Sequence, residues 1–285
     1  SRDASFGIMM GGILNIILDP IFMFVILPEG SEVLGVGVAT FLSNCTACAY
    51  FLIKIYRIRK DSVLTFNIRE GLPDRVNIKQ VFSVGLPAAI SVGLFDLDYV
   101  ILDKLMAAYS DIALAAIGIV LKVERFPLNV GIGICQGMTP LVAYNYSGGN
   151  KKRMDDFWKA SIKLGIIIAA ASIVLYECFA PQLIRFFISD APTAALGTSF
   201  LRARVLATPF MFLSFFLVHT FQAFGKGKIS LVLGVMRWLL LNIPMLFVLN
   251  RLFGMYGLVW SQVTADIINV ILSFVSYRRE RRKMA

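Results

Sequence analysis

Apolar stretches of about 20 residues or more follow one another along almost the whole chain, separated by short polar connections. Eight are delimited, at roughly residues 6–27, 33–56, 79–109, 111–144, 157–180, 194–224, 229–252 and 254–277. At about 1.5 Å of helical rise per residue, each is long enough for a bilayer core of about 30 Å. The pattern predicts an all-α integral membrane protein with about eight transmembrane helices.

Composition agrees: 58% of the 285 residues are hydrophobic and 16% charged, against about 25% charged in soluble domains. A formal net charge of +10 would fit a nucleic-acid binder if the cations shared one folded face, but they gather between the apolar stretches. Lys54, Arg57, Arg59, Lys60, Arg69, Arg75 and Lys79 lie between stretches two and three, and Lys151, Lys152, Arg153, Lys159 and Lys163 follow stretch four. Lys226 and Lys228 follow stretch six, and Arg278, Arg279, Arg281, Arg282 and Lys283 end the chain. The alternate connections are nearly free of cations, although Arg185, Arg202, Arg204 and Arg251 lie near outer ends. The positive-inside rule then places the basic loops and the C-terminus in the cytoplasm of a multi-pass plasma-membrane protein. No nucleic-acid partner is expected, and the partners are the lipid bilayer and a small-molecule substrate.

The chain opens on "SRDAS" rather than Met, directly before a full-length apolar stretch, as a fragment would. Two segments also repeat. "GGILNIILDPIFMF", from Gly11, matches "RWLLLNIPMLFVL", from Arg237, in a Leu-Asn pair followed by a proline. The next stretches pair Gly35 with Gly257, Asn44 with Asp266 and Arg57 with Arg279, at an offset of 222. Six stretches separate the first members, so the repeat is a parallel one of six helices, a two-lobe transporter architecture with the substrate path between lobes. On this reading the first four helices are missing. Residues 1–58 are the last two helices of the N-lobe, 59–78 a cytoplasmic linker and 79–285 a six-helix C-lobe, the whole acting as a monomer.

"LNIILDPIFMF", "GVGVATFLSN", "VGLPAAI", "DIALAAIGI", "GMTPLVAYNYSGGNKKR", "FQAFGKGK" and "GLVW" run in that order over residues 11–260. Together they resemble the multidrug and toxic compound extrusion (MATE) family. The resemblance implies twelve helices in two lobes, no enzyme activity, no cofactor beyond coupling Na+ or H+, and efflux of organic compounds, drug-like and cationic or amphipathic, against influx of that ion.

The stretch "FDLDYVILDK", residues 95–104, places three aspartates and a lysine inside an apolar run. Counted from the connection "YSD", Asp98 lies about 16 Å deep, Asp96 and Arg125 about 19 Å, Lys122 about 15 Å and Glu124 about 18 Å, with Asp103 and Lys104 at about 9 Å. Central charges cost about 2.5 to 3.5 kcal/mol each on insertion scales, so pairing at one level is the cheapest arrangement. Asp96 and Asp103 share a face that Asp98 leaves by about 160°. Lys122, Arg125, Asn129 and Gln136 form a polar stripe expected to line water or substrate. Glu124 is off that stripe and has no basic residue at i+3 or i+4, so its partner comes from another helix or it stays available. Asp96, Asp98 and Glu124 against Lys122 and Arg125 leave one negative charge over, room for one H+ or Na+. These three acids are the expected cation-coupling residues, and Asp103, Lys122, Arg125, Asn129 and Gln136 the expected cavity lining; a structural network that orients two helices is the other reading. In the MATE resemblance, acids in these helices serve coupling, but a second acid common on the span matching 194–224 is missing here.

Other features read as structure. Cys45, Cys48, Cys135 and Cys178 are expected as buried small hydrophobes, since no second pair or nearby histidine completes a CxxC metal site. Asp19-Pro20 reads as the cap of a helix restart, His219 as a packing residue, "NYSGGNKK" as a turn, and Arg237-Trp238 as an interfacial anchor. The alternatives to an antiporter are a lipid-linked oligosaccharide flippase of the same plan, whose anionic head group Lys122 and Arg125 would suit, and an intramembrane prenyl-diphosphate enzyme. The last needs carboxylates converging on one metal, which the D-x-D-x4-D spacing splits across faces.

Overall fold

The computed structural model describes residues 2–28, 30–58 and 75–284, which are helical apart from short turns, with no strand among them. Five helical segments are long and apolar enough to cross a membrane, and a sixth if one bent pair counts as a single span. The chain divides into two compact units at Asp74/Arg75.

The first unit is a hairpin of α1 (Arg2–Ile21), which passes through a π-helical turn at Phe22–Ile26, and α2 (Glu32–Ile58). A Cβ on Gly35 would lie 2.8 Å from the Phe22 carbonyl oxygen, so glycine is what allows the two backbones to touch at the turn. Two helices cannot enclose a core, and Ile8, Ile16, Phe24 and Phe41 stay largely exposed. Cys45 and Cys48 are exposed for the same reason, and Cys178 is exposed as well, which corrects the expectation that these three are buried; Cys135 is buried. Asp19 does not cap a restart either. The helix continues through Pro20, and the Asp19 carboxylate accepts from Asn15 Nδ2 at 3.0 Å.

The second unit holds α3 (Arg75–Ala107), α4 (Asp111–Ser147), α5 (Lys151–Phe187), α6 (Ala191–Val205), α7 (Thr208–Ala223), α8 (Gly227–Val235), α9 (Ile243–Phe253) and α10 (Met255–Met284). The linker expected over 59–78 lies outside the described residues as far as 74, and its last four residues are already α3. Chain reversals follow local chemistry. Ser110, Asn150 and Asp190 cap α4, α5 and α6 by accepting the amides of Ala113, Arg153 and Thr193, and Gly149, Gly225 and Gly254 supply positive φ in the turns. At α9–α10 a Cβ on Gly257 would fall 2.0 Å from the Leu249 carbonyl oxygen. Its repeat partner Gly35 thus does the same work in the first unit.

Two paths in this unit are broken, and the breaks position the site. α6 and α7 meet at 47°, where Pro209 cannot donate a backbone bond. Between α8 and α9 the helix widens into a π-helical segment, Met236–Asn242, just before Pro244. Aromatic and aliphatic side chains fill the interior on either side of these breaks, around Met106, Ile117, Phe200 and Leu258 towards the α3–α4 turn and around Met138, Phe216 and Phe221 towards the α4–α5 turn.

Candidate functional site

Between the two apolar layers lies a buried polar cluster built by five segments. Arg204, on the last turn of α6, is 1% exposed and donates to Glu124 of α4, Nε to Oε2 at 2.7 Å and Nη2 to Oε1 at 3.3 Å. It also donates to the Gln262 side-chain oxygen of α10. The negative end of α6, cut short by the bend, favours a cation at that point. Arg237, in the π-helical segment, donates to Asp266 of α10, Nε to Oδ1 at 2.6 Å and Nη2 to Oδ2 at 3.1 Å. Its guanidinium carbon lies 4.5 Å from the centre of the Phe215 ring and 4.2 Å from that of Trp238. Arg237 is therefore a buried ion-pair member and not the interfacial anchor its aromatic neighbour led us to expect.

The third acid has no arginine. Asp98 of α3 accepts through Oδ2 from Asn242 Nδ2 at 2.7 Å, while its Oδ1 is buried without a partner. Asn242 Oδ1 and the Tyr99 hydroxyl are likewise buried and unpartnered. In their charged forms, Asp98, Glu124 and Asp266 oppose Arg204 and Arg237, which leaves one negative charge at Asp98 in a low-dielectric interior. Such a charge needs a proton or a cation.

The expected site residues divide into two sets. Asp98 and Glu124 belong to the buried cluster. Asp96, Lys122, Arg125, Asn129 and Gln136 are all exposed on the outer faces of α3 and α4, and Asp103 is half-buried with one carboxylate oxygen unpartnered. Asp96 does not meet Glu124, because α3 turns its two central acids to opposite sides as the helical period dictates. Lys122 and Arg125 do not neutralise the buried acids; Arg125 instead lies 5.9 Å from the centre of the Tyr99 ring. The arginines that do so, Arg204 and Arg237, and the acid Asp266 escaped the sequence reading. Depth counting flags two of them as central. Arg204 is 13 residues after Ala191, where α6 starts, or about 20 Å in, and Asp266 is 11 residues after Met255, or about 16 Å in.

Residues 87–248 match the MatE family model. The chain belongs to the MatE family. It is 31% identical over 262 residues to "Multidrug export protein MepA" of Staphylococcus saprophyticus subsp. saprophyticus, covering 92% of the chain and 56% of that relative. The Staphylococcus haemolyticus protein of the same name is 30% identical over 270 residues, covering 94% of the chain and 58% of the relative. The chain thus spans a little over half the length of these relatives. Its fold is similar to that of the solved structure "Outward-facing conformation of a multidrug resistance MATE family transporter of the MOP superfamily", with a TM-score of 0.86 at 22% identity, over 98% of this chain and 62% of that one. MatE membership places the two broken helices in an all-α membrane fold, where polar groups at helix breaks face one another in the interior.

Proposed function

We propose that this chain forms part of a secondary antiporter that exports organic, drug-like compounds in exchange for Na+ or H+, with Asp98 and Glu124 in its coupling site. The observation that carries the reading is the surplus carboxylate. Asp98 sits beside two satisfied arginine–carboxylate pairs with one oxygen unpartnered, so a single bound proton or monovalent cation restores neutrality. The MepA relatives, named as multidrug export proteins, support the class of cargo. The exposed Asp96 of α3 and the stripe of Lys122, Arg125, Asn129 and Gln136 on α4 are the surface offered to cargo, together with the half-buried Asp103 of α3.

Residues 1–58 are read as the last two helices of an N-lobe and 79–285 as a C-lobe, in the plasma membrane with the C-terminus in the cytoplasm. Asp96 and Asp98 on opposite sides of α3 weigh against a metal-diphosphate enzyme. The test is efflux by the full-length protein in proteoliposomes with Na+ and pH gradients imposed separately. One of the two gradients is expected to drive efflux in the wild type and neither in Asp98→Asn. Efflux indifferent to both gradients overturns the reading.

A further inference from the structure

Between residues 266 and 275 α10 is polar where it is buried and apolar where it is exposed, and the exposed Arg278 and Arg279 follow. From residue 266 to residue 280 its buried positions are Asp266, Asn269, Ser273, Tyr277 and Glu280, at steps of three and four. Ile267, Ile271, Leu272, Phe274 and Val275 occupy the other side and are exposed. Both ends of the polar stripe are paired: Asp266 with Arg237, and Glu280 with Lys226, while Arg281 of the next position holds Asp155 at 2.7 Å. The middle is not. Asn269 is 0% exposed and gives its amide to Ser214 of α7 at 3.1 Å, which leaves its Oδ1 without a partner, and the Ser273 hydroxyl, also 0% exposed, has none at all.

Helix-to-helix adhesion does not explain these two groups, since adhesion by polar side chains works through the hydrogen bonds they make. An orphaned buried oxygen points to water or an ion. Successive groups on the stripe are about 4.5 to 6 Å apart along the axis. A single water bridging two oxygens with hydrogen bonds of about 2.8 Å spans that gap.

We propose that α10 carries a proton relay of ordered waters, anchored by Asn269 and Ser273, that connects the acid cluster at Asp98 and Asp266 with the α4–α5 end of the unit near Glu280. Ser273 accepts a proton from one water and releases its own to the next, while Asn269 holds a water by its unpartnered carbonyl oxygen, its amide giving one hydrogen to Ser214. No bond other than O–H is made or broken, and each proton arriving at one end is matched by one leaving the other. The charged groups facing the path are Asp266 and Arg237 above and Lys226, Glu280, Asp155 and Arg281 below. From α7, His219 has its Nδ1 2.9 Å from the Phe215 carbonyl oxygen. The inference rests on the coupling reading above, and adds to it that the exchanged ion is H+ and that it travels along α10.

The test uses the full-length protein in proteoliposomes with an entrapped pH dye. Asn269→Leu with Ser273→Ala is expected to slow substrate-induced proton exchange at least tenfold while changing substrate affinity less than twofold; Asn269→Ser, which leaves room for water, should stay within threefold of wild type. Ser273→Cys, in a background without the four native cysteines, should react with a small hydrophilic thiol reagent applied from the side of Lys226 and Arg281. Wild-type proton exchange in the double variant overturns the relay, and so do an unreactive thiol in Ser273→Cys and coupling to Na+ alone. If Asp98→Asn leaves gradient coupling intact, it is the coupling reading that fails; if Asp98→Asn uncouples while the Asn269 and Ser273 variants exchange protons normally, only the relay fails.

Discussion

The Arg204 guanidinium and the Glu124 carboxylate, on helices 80 residues apart in the chain, meet through two hydrogen bonds at 2.7 and 3.3 Å with both side chains almost completely buried. A pair in such surroundings gains little over a well-packed apolar pair but is costly to break, because the survivor keeps an uncompensated charge. Glu124→Ala or Arg204→Ala alone should cost about 3 to 5 kcal/mol. Glu124→Leu combined with Arg204→Met should recover most of that loss. Thermal unfolding of the purified variants measures both, and a double variant no more stable than the singles would show that the pair does more than neutralise itself.

Asp96 and Asp98, two residues apart, should separate two properties. Asp98 is buried beside Asn242 and Asp96 is exposed. Asp98→Asn removes the surplus charge and is expected to preserve expression and folding while abolishing the response to the driving gradient. Asp96→Asn should keep that response and shift the affinity or range of transported compounds. Efflux assays with several cationic and neutral substrates check this, and the opposite assignment of the two effects would reverse the roles given to the two faces of α3.

How much of this was legible beforehand depended on whether a signal was local. Asp98 and Glu124 stood out because a charge inside an apolar run is conspicuous, and the helical period already turned Asp98 away from Asp96. The pairing of Gly35 with Gly257 was legible as repetition, and each glycine permits one helix to press on the carbonyl of the one before. Arg204 was not legible as a partner because, in the first half of the 194–224 stretch, it reads as lying near the outer end of that span, whereas the path starts at Ala191 and bends just after Arg204. Arg237 beside Trp238 has the composition of an interfacial anchor, and only the π-helical segment turns it inward onto Asp266. Cys45 and Cys48 are apolar enough to bury, but burial is decided by neighbours and not by the residue itself.

Among the described glycines of the unit, Gly165 of α5 is the one where an added Cβ would come closest to a side chain. A Cβ there would lie 1.8 Å from the Phe212 ring of α7, and the same ring is 3.2 Å from a Cβ placed on Gly131 of α4. The ring therefore fills a slot between two glycine-bearing helices and cannot retreat in either direction. Gly165→Ala should destabilise by about 1 to 3 kcal/mol through overpacking, and Gly165→Ala with Phe212→Leu should restore part of it. Comparing the melting temperatures of the two variants tests this, and an unaffected Gly165→Ala would mean that Phe212 has another rotamer available.

Asp190, in the turn between α5 and α6, gives a pH dependence whose sign is fixed. The Thr193 hydroxyl and the Thr193 amide both donate to its carboxylate and hold it below the usual carboxylate range. An acid depressed in the folded state adds stability that is complete above its unfolded value of about 3.9 and disappears as pH falls through the lower folded value. Asp190→Asn keeps an acceptor for the Thr193 amide but loses the charge that favours the α6 N-terminus. The variant should accordingly melt at a lower temperature than wild type at pH 6 to 7, and the difference should shrink as the pH is taken below about 4. Melting curves of the two proteins across that range decide the matter. A gap that persists unchanged at pH 3 would show that the carboxylate contributes through shape and not through its charge.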